Sequence, residues 1–301
     1  MKKILITGAL GQNGQILSKI YIKKKFKVFG FVKRVNKNKI RDVKYYINNL
    51  KNKIIIQNHL KKISPDIVIH LASTNNSYID RRKKDNYKIN YSDNFLITKN
   101  LIDTLVKLKI KTLFIFAGSS VMYENSKRKI ITEKDKFNSN EYYGKYKIDS
   151  FKYIIANTSN ILKTITLILF NHDSKYRNKK FLVPKLINAF KQKNIKYIQK
   201  IYYENISGDF SHAEDICNGI FKLSLTNSNI EKIILSNGKR FYINKFIIYL
   251  EKKFKFKINK KLKSFSNKNF KFIGSNNYAK KKINYKNKKN LIDVCKDILK
   301  N

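Results

Sequence analysis

Tyr143 and Lys147, in the run Tyr143-Gly144-Lys145-Tyr146-Lys147, lie four residues apart and share one face if the segment is helical. A phenol beside an ammonium can exchange a proton near neutral pH, because the positive charge favours the phenolate and lowers the Tyr143 pKa. A third group, the Ser119 hydroxyl of Gly118-Ser119-Ser120, follows the strand-like run Thr112 to Phe116 and can hydrogen-bond a reacting oxygen. In a chain with 19 Tyr, a Tyr/Lys pair by itself reads as a solvated helix face with a packed ring. The combination with Ser119 and a glycine-rich turn makes it a redox-type acid/base site.

That turn is Thr7-Gly8-Ala9-Leu10-Gly11-Gln12-Asn13-Gly14, directly after the apolar run Ile4-Leu5-Ile6. Gly8, Gly11 and Gly14 have the spacing GxxGxxG between a strand and a helix, where backbone N–H groups can approach a pyrophosphate at the positive helix terminus. Three of the chain's 10 glycines fall here, which argues against a chance triplet. The residue type ending the second strand discriminates between dinucleotides. An acidic side chain there would bind the ribose hydroxyls of NAD, whereas Val32-Lys33-Arg34 places two cations that suit the extra phosphate of NADP. NADP is the expected cofactor, with NAD the alternative.

His59, His70, His172 and His212 have no metal-ligand spacing, and no metal site is expected. His70, inside an apolar strand, reads as a core residue, and His212 as a residue shaping a loop beside the ligand. Cys217 and Cys295 form no CxxC, which fits a reducing compartment. The run after Met1-Lys2-Lys3 is too short for a signal-peptide core, and no segment reaches the roughly 18 apolar residues of a spanning helix. A soluble, cytoplasmic protein without membrane association is expected.

The formal net charge of +46 would ordinarily indicate a nucleic-acid partner. Here the excess is almost all Lys, spread along the chain with abundant Asn and Ile, only 2 Pro and no Trp. Since Lys, Asn and Ile have A/T-rich codons, genome composition accounts for it, and no specific nucleic-acid partner is expected. A non-catalytic basic nucleic-acid-binding protein on the same scaffold is the alternative of another class.

To position these groups the chain must alternate strands and helices. Candidate strands are Lys3 to Thr7, Lys27 to Val32, Lys44 to Ile47, Ile67 to Leu71, Thr112 to Phe116 and Thr164 to Leu169, separated by amphipathic runs. Ile54-Ile55-Ile56 is read as helix because Leu60 and Ile63 continue it at helical spacing. The fold class is α/β, a doubly wound parallel (Rossmann) sheet with a smaller C-terminal substrate domain. Residues 1–170 form the dinucleotide domain, with 209–236 returning to it; 171–208 and 237–301 form the substrate domain. Residues 171–207 read as a loop, a helix over Val183 to Lys191 and a connector. Lys261 to Asn269 reads as a linker or a loop over the substrate.

With Thr7 to Gly14, Ser119, Tyr143 and Lys147 in this order, the chain resembles the extended short-chain dehydrogenase/reductases, the NAD-dependent epimerase/dehydratase family. Pro65-Asp66-Ile67-Val68-Ile69-His70-Leu71-Ala72-Ser73, Asn90, Gly118 to Tyr123 and Ile131-Thr132-Glu133 extend the likeness over nearly the whole length. Within it, the chain is most similar to GDP-mannose 4,6-dehydratases. Phe170-Asn171-His172-Asp173-Ser174-Lys175-Tyr176-Arg177, followed by Phe181 and Lys185, looks like their substrate loop, which reads phenylalanine-asparagine-histidine-glutamate-serine-proline-arginine-arginine. The resemblance implies that Gly8, Gly11, Gln12, Asn13, Gly14, Lys33, Arg34, Leu71, Ala72, Ser73, Tyr143 and Lys147 contact the dinucleotide. It also implies that Ser119, Tyr143 and Lys147 are catalytic, that Ser120, Asn171, Arg177 and Lys185 contact a nucleotide-sugar, and that the protein is a homodimer or homotetramer.

Three departures stand out. Val121 occupies the place of the dehydratase Glu that removes a proton from sugar carbon 5, and an aliphatic side chain cannot do this. Gly208 replaces a phosphate-binding Arg, and the family's later Arg-Pro element is not recognisable, Lys263 being the nearest cation. Glu133 and Asp135 are expected to face solvent. The expected activity is ketoreduction or epimerisation of a GDP-sugar by hydride transfer at carbon 4. A GDP-mannose 4,6-dehydratase using another base is the alternative.

Overall fold

A computed structural model describes residues 1–74, 87–227, 229–260 and 272–300. The whole Lys261 to Asn269 stretch, Lys263 included, lies outside them. The main sheet is built from β1 (Lys3–Thr7), β2 (Lys27–Val32), β3 (Val43–Ile47), β4 (Ile67–His70), β5 (Thr112–Ala117), β7 (Leu162–Leu169) and β10 (Lys232–Leu235). β6 (Ile130–Ile131) lies outside it. The order is β10-β7-β5-β4-β1-β2-β3, and every neighbouring pair is parallel.

A parallel sheet covered on both faces needs apolar side chains pointing both ways. In β1, Ile4 and Ile6 enter one core and Leu5 the other; in β5, Ile115 and Ala117 are divided from Phe114 and Phe116 in the same way. Helices α1 (Gln12–Lys23) and α7 (Ala213–Leu223) cover the first face, and α2 (Lys53–Ile63) and α3 (Tyr87–Lys107) the second, with α4 (Tyr142–Ala156) packed on α3. The Ile54 to Ile56 run is helical, as its spacing predicts. Asn52 caps it by accepting from Ile54 and Ile55 N–H at 3.0 and 3.2 Å, and Ser64 ends it in a left-handed conformation just before Pro65.

The smaller unit contains α5 (Leu182–Lys191), α6 (Ile195–Tyr203), α8 (Ile243–Phe254) and α10 (Leu291–Leu299) around a separate apolar core. Beside it lies a three-stranded sheet in which β9 (Ser207–His212) pairs with β8 (Asn171–Asp173) and β11 (Arg240–Tyr242). β12 (Ile273–Gly274) pairs with β6, and α9 (Asn277–Ile283) follows it. Two elements differ from the sequence reading. The expected connector after α5 contains α6, capped by Asn194 and burying Ile198 and Ile201. Within 209–236, α7 and β10 return to the main sheet, whereas β9 joins the small one.

Candidate active site

The chemistry-bearing residues gather at the carboxyl ends of β1, β2, β4 and β5, where ligands bind in doubly wound sheets. Gly8 has φ of +69°, left-handed backbone that suits glycine, and its N–H donates to Phe31 O at 3.0 Å. Gly11 N–H donates to Gly8 O at 2.9 Å, closing the turn onto α1. A Cβ on Gly14 would sit 2.5 Å from Gly8 O, so the helix can start this close to the turn only with glycine there. The first-turn N–H groups of Gln12, Asn13 and Gly14 have no carbonyl one turn back in the helix, and α1 opens with no acidic side chain. This cradle fits a pyrophosphate. Lys33 and Arg34 are exposed immediately after β2, beside the strand position that holds Gly8.

The segment after β4 is fixed by a directional hydrogen-bond chain. Ala72 N–H donates to Thr7 Oγ1 at 3.1 Å. Thr98 spends its proton on Asn94 O at 3.1 Å, so its oxygen accepts from His70 Nε2–H at 3.0 Å, and Nδ1 of the neutral ring accepts from the Thr7 hydroxyl at 2.7 Å. Burial, with the nearby Lys147 charge, pushes the His70 pKa down to about 3, so it stays neutral as this chain requires. Asn94 grips Thr74 through both its amide atoms, at 2.8 and 3.0 Å. Leu71, Ala72 and Ser73 are thereby held along the sheet end, with His70 as the core residue expected of it. Asn90 lies in the first turn of α3, its side chain outside the description.

Ser119 caps a 3₁₀ turn over Ser120–Tyr123, accepting from Val121 N–H at 3.3 Å, which leaves its hydroxyl proton free to be donated. Ser120 and Val121 are half-buried on this turn. Helix α4 starts against it. A Cβ on Gly144 would meet Ser139 Oγ at 2.0 Å and Val121 O at 2.9 Å, so glycine at 144 permits the close approach of α4 to this turn. Lys147 is buried. Its Nζ donates to Ala117 O at 2.5 Å and sits 4.6, 4.8 and 5.7 Å from the ring centroids of Phe116, Tyr146 and Tyr143. Desolvation lowers its pKa to about 7.

The segment expected to meet a nucleotide-sugar lies across from the phosphate loop. Gln12 Nε2 donates to His172 O and accepts at Oε1 from Ser174 Oγ, both at 3.1 Å. His172 Nδ1–H donates to Phe170 O at 2.7 Å, leaving Nε2 to accept from the Asn13 amide at 2.8 Å. The side chains of Gln12 and Asn13 are therefore engaged with β8, and their backbone N–H groups remain for the cradle. Asn171 is exposed. Arg177 pairs with buried Asp173 at 3.2 Å and lies 3.6 Å over the Phe181 ring. Lys185 on α5 lies 4.8 Å over the Tyr197 ring of α6. Gly208 leaves space near Asn171 Nδ2, which is 3.9 Å from an added Cβ.

Three expectations need correction. Glu133 does not face solvent: it is half-buried, accepts from Ile234 N–H at 2.9 Å, and burial raises its pKa. Asp135 is also half-buried, accepting from Thr132 N–H and Oγ1 at 2.7 and 2.8 Å and pairing with Arg128 at 2.8 Å. His212 lies at the end of β9 rather than in a loop. It is fully buried, caps α7 by accepting from Glu214 N–H at 3.1 Å, and donates to Asp297 at 3.1 Å. The partnerships of Thr7, Asn94, Thr98, Tyr146 and His172 were not visible in the sequence, because each joins residues remote along the chain.

Solved structures share this architecture. UDP-glucuronic acid 4-epimerase from Bacillus cereus in complex with NAD is 19% identical, with 98% of this chain and 94% of that one covered at a TM-score of 0.81. UDP-glucose 4-epimerase with UDP-glucose from Thermotoga maritima is 17% identical, with 99% and 97% covered at 0.82. The fold is that of the nucleotide-sugar epimerases. The chain itself belongs to the GDP-mannose 4,6 dehydratase family, whose sequence profile matches residues 5–298. Among characterised relatives, GDP-6-deoxy-D-talose 4-dehydrogenase of Aggregatibacter actinomycetemcomitans is 27% identical over 226 residues, 73% of this chain and 69% of that protein. GDP-mannose 4,6 dehydratase 2 of Caenorhabditis elegans is 22% identical over 267 residues, 81% and 69% respectively. The protein is thus an enzyme of the nucleotide-sugar epimerase, dehydratase and 4-dehydrogenase group. Among the described residues, no helix is long and apolar enough to cross a membrane.

Proposed function

We propose that this enzyme moves hydride between a nicotinamide dinucleotide, NADP in preference to NAD, and carbon 4 of a GDP-sugar, in ketoreduction or epimerisation. The observation that supports this reading most is that Lys147 reaches Ala117 O at the end of β5, two residues before Ser119, with the Tyr143 ring 5.7 Å away, in the sheet whose β1 leads into the glycine cradle. The dinucleotide would supply or accept the hydride. The cradle N–H groups of Gln12 to Gly14 hold its pyrophosphate. Tyr143 exchanges the proton of the carbon 4 oxygen, Lys147 favours the phenolate and holds the adjoining ribose, and Ser119 donates to the same oxygen. Asn171, Arg177, Lys185 and Ser120 contact the nucleotide-sugar. Arg177 is suited to a diphosphate because Asp173 and the Phe181 face hold its guanidinium in one orientation.

Preference for NADP follows from Lys33 and Arg34. Replacing both by Ala should weaken NADPH binding by about tenfold and leave NADH nearly unchanged, since two surface cations together contribute about 1–2 kcal/mol to a phosphate contact. Fluorescence titration of both dinucleotides reads this. Equal affinity in the wild type would exclude the assignment.

Val121 distinguishes the reactions. Loss of water from GDP-mannose needs a base at carbon 5, and Val121 has no ionisable group. Glu133 and Asp135 are committed to backbone partners elsewhere. The similarity to a GDP-6-deoxy-D-talose 4-dehydrogenase favours a substrate that already lacks the carbon 6 hydroxyl. Incubation with GDP-mannose should give no 4-keto-6-deoxy product by mass spectrometry, whereas a GDP-4-keto-6-deoxy sugar with NADPH should be reduced. Efficient loss of water would establish the alternative, a dehydratase with another base.

A further inference from the structure

Tyr146 belongs to no role assigned so far, yet it is buried in the middle of the candidate site. Its hydroxyl shares a 2.5 Å hydrogen bond with Ser73, in the segment after β4. The two groups are 73 residues apart in sequence, so the bond joins α4 directly to the sheet end. Tyr143 packs edge-on to its ring, with centroids 5.3 Å apart and planes at 80°. The Lys147 ammonium sits 4.8 Å from its centroid, with Phe116 at 4.6 Å. A buried ammonium normally has a carboxylate or several acceptors. Here Ala117 O and aromatic faces surround it, and among the described residues no carboxylate offsets its desolvation. The titratable groups around it among the described residues are Tyr143 and Tyr146 on its own helix and His70 on β4, held neutral by burial. Asp149, two residues on, is turned to Tyr91 on α3 at 2.6 Å.

We infer that Tyr146 is a positioning residue of this site: pinned by Ser73, its ring face holds the Lys147 ammonium and its edge contacts hold the Tyr143 phenol. This rests on the reading of Tyr143 and Lys147 as the proton-transfer pair. The physical reason is the ring quadrupole, whose negative face attracts a cation most strongly where water is excluded. Phe at 146 would keep the face and lose the Ser73 tether. Leu would keep an apolar side chain and lose the face. Because the face favours the charged form, its removal lowers the Lys147 pKa, and the enzyme loses the protonated lysine at a lower pH.

The test uses the full-length protein with 13Cε-labelled lysine, in which a lysine titrating near pH 7 stands apart from ordinary lysines near pH 10.4. The Lys147 resonance is assigned by its loss in Lys147→Met. Tyr146→Leu should lower its midpoint by about one pH unit, whereas Tyr146→Phe should leave it nearly in place. The alkaline limb of kcat/KM should move with the midpoint, while the dinucleotide affinity stays near the wild-type value. Should the leucine variant fold poorly, stepwise ring fluorination of a phenylalanine at 146 weakens the face at constant shape, and the midpoint should fall step by step. An unchanged midpoint in the leucine variant and across the fluorinated series would overturn the role. A wild type that titrates as described but turns over no nucleotide-sugar would instead defeat the proposed function, leaving the ring's hold on Lys147 established.

Discussion

Tyr143→Phe should reduce turnover by about 10²- to 10⁴-fold, the range that a positioned proton donor contributes. The substitution removes one oxygen and keeps the ring, so the edge-on contact with Tyr146 at 5.3 Å remains. Dinucleotide affinity should stay close to wild type, because the cradle around Gly8, Gly11 and Gly14 and the cations Lys33 and Arg34 are untouched. A general loss of folding would lower both quantities together, so the two measurements separate chemistry from structure. Steady-state turnover on a confirmed nucleotide-sugar, with fluorescence titration of NADPH on the same preparation, checks it. Near wild-type turnover would show that the proton goes elsewhere. Ser119 could then act as the donor, since its hydroxyl proton is not needed for the Val121 cap.

What could be read from the sequence, and what could not, follows from the range of the interactions. The strands β1 and β2 and the helix over Ile54 to Ile63 are local patterns, and the structure places them with those patterns intact. The glycine turn, Ser119 and the Tyr143/Lys147 pair were legible because their spacing survives in the chain. Helix α6 was not, since only Ile198 and Ile201 are buried in a segment otherwise rich in Lys and Tyr. Roles set by distant contacts were hidden as well. His172 meets Asn13 across 159 residues, and no periodicity announces such a bond. Glu133 looked like an exposed acid in a charged loop, yet the edge strand β10 reaches back and gives it the Ile234 N–H. His212 ends a strand, and its cap on α7 depends on where that helix begins, a boundary that sequence patterns locate poorly.

Lys147→Met should abolish turnover and, without dinucleotide present, make the protein more stable at neutral and acidic pH. The ammonium is buried with one carbonyl and aromatic faces as partners, so its charged form is costly in the fold. Its folded pKa of about 7 lies below the unfolded lysine value of about 10.4. Between those values the unfolded chain binds more protons than the folded one, so wild-type stability rises with pH through that window. Below about pH 7 both states are protonated and the penalty is present in full; above the unfolded pKa it is gone. Methionine fills similar volume without a charge and carries no such dependence. Thermal unfolding at pH 6 should therefore favour the variant by about 1–4 kcal/mol, the range seen when buried ions are replaced by apolar groups. The difference should shrink steadily towards pH 10. A variant less stable than the wild type at pH 6, or a difference that does not change with pH, would mean that the site compensates the ammonium fully. If the expected pattern holds, the protein keeps a destabilising cation where the chemistry uses it, a trade of stability for function.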